Sequence, residues 1–199
     1  MTRFAINFDY RCPFARNANE HVVAGLDSGA AWDVEFRAFS LTAVHAEEGD
    51  PPVFSDPGKR PALVALAAGV VVRDRLPERF RAAHLSLFAA RHDDADDLRD
   101  EKVVRRALER AAVDSDAVFA EIEAGWPFAV IAREHEESVA RHATFGVPTF
   151  TVGDTAVFVR LMTRPDADGA RSRALVERVV RMIADEPEIN EFKHTRITR

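Results

Sequence analysis

Phe4-Ala5-Ile6-Asn7-Phe8-Asp9-Tyr10-Arg11-Cys12-Pro13-Phe14-Ala15, residues 4–15, joins a β-prone run to a helix start through a single cysteine. Phe4 to Phe8 is rich in aromatic and branched side chains, the composition of a strand. Asp9 to Pro13 breaks that run. A proline at the first helical position is preorganised for a helix, and Phe14 to Leu26 supplies good helix formers. Gly25 and Gly29 are expected to close this helix. Trp32 to Phe39 then alternates, with Val34, Phe36 and Ala38 on one face and Glu35, Arg37 and Phe39 on the other. Strand, helix and strand in this order predict a βαβ unit.

The pattern changes after it. Residues 40–60 carry Gly49, Pro51, Pro52, Pro57 and Gly58, so this stretch reads as a long loop. From Pro61 to about Ala143 the apolar spacings are only helical: Leu63-Leu66-Val70, Phe80-His84-Phe88, Val103-Ala107-Leu108 and Val118-Ile122. Strand character returns at Pro148 to Val152 and again at Ala156 to Val159, with Gly153-Asp154 between them as a hairpin turn. Leu175 to Ile183 is a final amphipathic helix, and Glu186 to Arg199 a polar tail. The expected architecture is α/β, ordered βαβ … αββα. Residues 1–60 and 127–199 form its sheet domain, and residues 61–126 form an inserted all-helical domain.

Composition narrows the function. The chain has 199 residues and 47% apolar content, enough for a sizeable core. Its 27 basic residues against 33 acidic ones leave a formal charge of −6, no footprint for gripping nucleic acid or an anionic membrane. Residues 1–9 hold no apolar stretch of signal-peptide length, and the longest apolar run, Pro61 to Val72, is too short to span a bilayer. A cytoplasmic, reducing location is the expectation. One cysteine permits neither an intramolecular disulfide nor a cysteine-rich zinc site.

That cysteine is the first chemical candidate. A helix N-terminus offers unpaired N–H groups and the positive end of the helix dipole, and both favour a thiolate. The placement of Cys12, beside Arg11 and before Pro13, therefore predicts a thiol pKa below the ordinary value of about 8.5. The bland alternative is a small buried apolar residue. The second candidate is Phe145-Gly146-Val147-Pro148-Thr149-Phe150, where Pro148 opens a strand. Taken alone, Pro148 is either an ordinary strand-edge proline or a cis peptide.

Other motifs carry less. His135-Glu136-Glu137-Ser138-Val139 is no zinc-protease motif, because Val139 stands where the second histidine is needed. His135 and His142 read as exposed residues of a solvated helix. His92-Asp93-Asp94-Ala95-Asp96-Asp97 lacks the glycine and glutamate of a calcium loop. No Gly-x-Gly-x-x-Gly or phosphate loop is present, so no nucleotide cofactor and no metal are expected. His84 reads as a satisfied core histidine, or as a general acid toward a leaving thiol if the helical block closes over Cys12.

Asp9-Tyr10-Arg11-Cys12-Pro13-Phe14-Ala15 after a short first strand resembles the active-site turn of DsbA-type thioredoxin-fold proteins. Gly146-Val147-Pro148-Thr149 resembles their cis-proline loop, and the helical block their inserted domain. Within that family the chain looks similar to the actinobacterial branch that includes mycothiol-dependent nitroreductases. The similar parts there are the insert, the segment Gly146 to Arg164 and the tail Glu191-Phe192-Lys193-His194-Thr195-Arg196. The resemblance implies a thioredoxin-like fold with Cys12 as catalytic residue and Pro13, Phe14, Ala15, Val147 and Pro148 as substrate-binding residues. It departs from the family's Cys-Pro-x-Cys pattern, since Ala15 takes the place of the second cysteine. Cys12 then acts alone, through a mixed disulfide that a free thiol releases.

What this implies is a monothiol thiol–disulfide oxidoreductase with no tightly bound cofactor, using a low-molecular-weight thiol, mycothiol or glutathione, as co-substrate. Its partners are a small thiol or disulfide, with room for a homodimer. Two alternatives stay open: an enzyme similar to kappa-class glutathione transferases and 2-hydroxychromene-2-carboxylate isomerases, or a redox-inactive binding protein on the same fold.

Overall fold

A computed structural model describes residues 2–191, 193 and 194. The expectations for Phe192 and for residues 195–199 of the tail lie outside the described residues.

The βαβ unit forms as its side chains dictate. β1 (Thr2–Phe8) buries Phe4, Ile6 and Phe8. α1 (Pro13–Asp27) begins at a proline and is capped by Cys12, and β2 (Trp32–Ala38) returns parallel to β1 with Ile6 beside Phe36. The helix end differs from the sequence expectation. Gly25 lies inside α1, where a Cβ would come within 2.4 Å of the Trp32 ring, so this glycine makes room for packing. Gly29, at φ +86°, supplies the turn. Phe39 also departs from the alternation: the strand ends before it, and its ring turns inward to lie fully buried against His135.

Residues 40–60 are a loop with one short helix, α2 (Leu41–Val44), and a 3₁₀ turn at Pro57–Lys59. The helical block follows as α3 (Arg60–Arg75), α4 (Pro77–His92), α5 (Glu101–Arg110), α6 (Ser115–Glu123) and α7 (Trp126–His142). The long apolar run becomes its hub. Leu63 to Val72 of α3 are buried on every side, because α4, α5, α6 and α7 all pack against this helix. β3 (Thr149–Val152) and β4 (Thr155–Phe158) form the expected hairpin through Gly153, and α8 (Gly169–Asp185) closes the fold against α1. α8 starts six residues before the expected Leu175, at an Asp168 side chain that accepts the Ala170 N–H.

The sheet order is β2-β1-β3-β4, with β1 antiparallel to β3. The fold is therefore mixed α/β, with the helical block docked on the sheet through rings. Phe8 of β1, Tyr10 and Phe36 of β2 meet Phe80, His84 and Phe88 of α4 with ring centroids 4.8–6.3 Å apart. α3 makes space for this cluster at Gly69, where a Cβ would sit 2.3 Å from the Tyr10 hydroxyl. Among the described residues no helix is long and apolar enough to cross a membrane.

Candidate active site

The end of β1 and the start of α1 hold Cys12 between two backbone groups. Cys12 is the N-cap of α1, with extended backbone, and its sulfur accepts the Ala15 N–H at 3.4 Å. On its other side the thiol donates to the Val147 carbonyl oxygen at 3.3 Å. Val147 precedes Pro148 across a cis peptide bond. The turn that carries the cysteine is braced by Asp9, whose carbonyl accepts the Cys12 N–H and whose carboxyl accepts the N–H groups of Arg11 and Leu41.

The thiol is not the acidic one expected from the sequence. Its burial disfavours the charged form more than the N–H groups of Ala15 and Phe14 favour it, and the like charge of Asp9 adds to the effect of burial; the Cys12 pKa lies above its ordinary value. Sequence position alone reveals the helix terminus but not the desolvation around it. Asp9 is itself raised, burial outweighing its N–H donors and Arg11.

The residues expected to bind substrate fall into two sets. Pro13 is exposed and Phe14 half-buried, with the Arg160 guanidinium 5.4 Å from the Phe14 ring centre. Arg160 is held there because its neighbours are pinned: Val159 N–H donates to the Pro148 carbonyl at 3.1 Å, and the Asn17 amide donates to the Leu161 carbonyl at 2.9 Å. Ala15 offers the site no side chain. Its methyl group is fully buried, and it reaches the site only through its N–H. The Val147 and Pro148 side chains are buried as well, so that loop faces Cys12 with backbone. Beside it Phe145 stands 68% exposed, its ring 5.2 Å from that of Phe158, an apolar rim on the same loop.

The histidines are also settled by burial. His84 cannot serve as a general acid: it is fully buried, and desolvation, helped by the Arg73 charge, pushes its pKa down to about 3. His135 corrects the expectation of an exposed residue. It is buried between the Phe39 and Phe54 rings, and its Nδ1 accepts the Ser40 N–H. Among the described residues no three His, Cys, Asp or Glu side chains stand together as a metal-holding group.

Sequence reasoning gave no role to Asp9, although an aspartate followed two residues later by a free N–H is a turn signal. It also passed over a charge cluster beside the site. Arg16 and Arg164 share Glu20 and Asp93, with Arg16 Nε 2.8 Å from Glu20 and Arg164 Nε 2.7 Å from it. The i,i+4 spacing of Arg16 and Glu20 is its visible trace.

No protein-family model matches the chain, and no curated protein matches it in sequence. Solved structures do match in shape. Reduced DsbA1 from Neisseria meningitidis is 17% identical with a TM-score of 0.59, over 94% of this chain and 86% of that one. The cytosolic disulfide reductase DsbM from Pseudomonas aeruginosa, solved with glutathione, is 13% identical with a TM-score of 0.59, over 90% of this chain and 99% of that one. A 2-hydroxychromene-2-carboxylate isomerase is 16% identical with a TM-score of 0.60, over 92% of this chain and 98% of that one. At such identities the likeness is one of fold, and that fold is the DsbA-like, thioredoxin-like one.

Proposed function

We propose that this chain is a monothiol thiol–disulfide oxidoreductase in which Cys12 is the nucleophile and a small thiol, mycothiol or glutathione, is the co-substrate. The observation that carries the reading is the Cys12 sulfur held between the Ala15 N–H and the carbonyl before Pro148. In the first step the Cys12 thiolate attacks one sulfur of a disulfide R–S–S–R. A Cys12–S–S–R bond forms, the R–S–S–R bond breaks, and R–S⁻ leaves with the electron pair. In the second step a free thiolate attacks the mixed disulfide and returns the Cys12 thiolate. With Ala15 in place of a resolving cysteine, the second attack comes from solution.

Because Cys12 is returned unchanged, the pools of small thiol and disulfide set the direction of the net exchange. Oxidants of this fold owe their potential to a stabilised thiolate, which makes the cysteine a good leaving group. Burial denies Cys12 that stabilisation, and with an excess of reduced small thiol the cycle we propose consumes small disulfides. A single free cysteine suits a reducing compartment, and we place the protein in the cytoplasm. Pro13, Phe14, Val147 and Pro148 border the incoming disulfide, with Phe145 and Arg160 on the rim.

The test is intact mass after incubation with oxidised glutathione. The expected product is one glutathione per chain, absent in Cys12→Ser and removed by excess reduced thiol. Non-covalent glutathione binding with no adduct over the alkaline range would overturn this mechanism. It would favour the transferase or isomerase reading, to which the loss of a resolving cysteine also lends itself.

A further inference from the structure

Tyr10 and Ala15 flank Cys12 on either side, and one side chain from the helical block ties both. The Tyr10 hydroxyl lies 2.9 Å from His84 Nδ1, His84 Nε2 lies 3.0 Å from Asn19 Oδ1, and Asn19 Nδ2 donates to the Ala15 carbonyl at 2.8 Å. Tyr10, His84 and Asn19 are all fully buried. Their donors and acceptors can be assigned end to end. Asn19 uses its amide nitrogen on Ala15, so its oxygen faces His84 and can only accept. His84 therefore carries its proton on Nε2. The ring is neutral at any ordinary pH, since burial has pushed its pKa down, so Nδ1 is bare and accepts the Tyr10 O–H. The chain runs Tyr10 to His84 to Asn19 to Ala15, every link satisfied and none open to water.

We propose that His84 is the positioning residue of the Cys12 site, through which the helical insert sets the reactivity of a thiol it does not touch. The strap holds the first turn of α1 by the Ala15 carbonyl, and with it the Ala15 N–H that faces the sulfur. It also holds the segment entering Cys12 by the Tyr10 ring. Two further ties at the C-terminal end of α4 act on the same turn: His92 Nε2 bonds the Tyr10 carbonyl at 2.9 Å, and Asp93, just past the helix, pairs with Arg16. The charged and titratable groups around the strap are Arg73 of α3 facing His84, Asp9 with Arg11 and His45 near the turn, and His92, Arg16 and Asp93 along the α1–α4 seam. None of them replaces a link. The inference rests on the proposed function only in taking Cys12 as the reacting group.

The experiment measures iodoacetamide alkylation of Cys12 against pH, with urea denaturation alongside, in His84→Gln and His84→Leu. A glutamine amide offers an acceptor and a donor at nearly the spacing of the two ring nitrogens, and it does not titrate. The expected result is a wild-type pH midpoint for Gln. For Leu the midpoint should rise by about half a pH unit, an alkylation about threefold slower at a pH below it, as fits a weakened hydrogen bond to the thiolate. A folded Leu variant with the wild-type profile overturns the proposal, because a merely structural histidine would lower stability alone. A Gln variant that behaves like Leu overturns it too, since the ring itself would then matter. If Leu does not fold, Tyr10→Phe removes only the hydroxyl link, and an unchanged profile there is equally decisive. Wild-type protein that forms no adduct with oxidised glutathione, while the Leu shift persists, sinks the proposed function and leaves the positioning role standing.

Discussion

The Cys12 thiol donates to the carbonyl oxygen of Val147 at 3.3 Å, across 135 residues of chain. Burial favours the thiol over the thiolate, the Ala15 and Phe14 N–H groups at the helix N-terminus oppose it, and here they lose. Alkylation of Cys12 by iodoacetamide should therefore keep accelerating beyond about pH 8.5, the midpoint of an ordinary thiol. Because the folded state holds this proton more tightly than the unfolded chain, the thiol contributes stability in full below about pH 8.5. That contribution is lost as pH rises through the folded value. A reactivity plateau reached below pH 7 would show that the dipole dominates after all.

Position 15 decides whether the site can cycle by itself. Ala15 is three residues beyond Cys12, and its N–H already meets the sulfur. At the start of a helix such residues have Cα atoms about 5–6 Å apart, inside the range a disulfide spans. Ala15→Cys should close an intramolecular disulfide with Cys12 when treated with oxidised glutathione, releasing two equivalents of reduced thiol. The mixed disulfide of the parent chain should no longer accumulate. Free-thiol titration checks it, and two thiols that stay free under oxidant would mean the turn holds them apart.

The strand–helix–strand opening, the Gly153 hairpin and the helical block were all legible because each rests on local periodicity or a local breaker. The run Pro61 to Val72 was legible as apolar but not as a hub, since burial on every side depends on the four helices that surround it. Cys12 and Pro148 were visible as motifs, whereas the sign of the Cys12 pKa was not: it comes from the burial of the sulfur, to which parts of the chain remote in sequence contribute. His135 misled for the same reason. Its neighbours Glu136 and Glu137 look solvated, but the rings that bury it belong to Phe39 and Phe54.

β2 is an edge strand, and α3 and α7 complete its outer side with charge. Glu134 accepts the Ala38 N–H at 2.6 Å and pairs with Arg73 at 2.7 Å, while Arg73 donates to the Phe36 carbonyl at 2.7 Å. Two backbone groups that would otherwise invite another strand are thereby satisfied. Glu134→Ala leaves the Ala38 N–H unpaired and Arg73 with the Phe36 carbonyl and the partly exposed Asp74, which sits 2.7 Å away. Breaking a buried pair costs about 3–5 kcal/mol, and the remaining partners trim this to about 2–4 kcal/mol. Glu134→Gln keeps an acceptor for Ala38 and loses only the charge, so its cost should be about half as large. Urea denaturation measures both, and an alanine variant within about 0.5 kcal/mol of the parent would mean that water replaces the clamp at the strand edge.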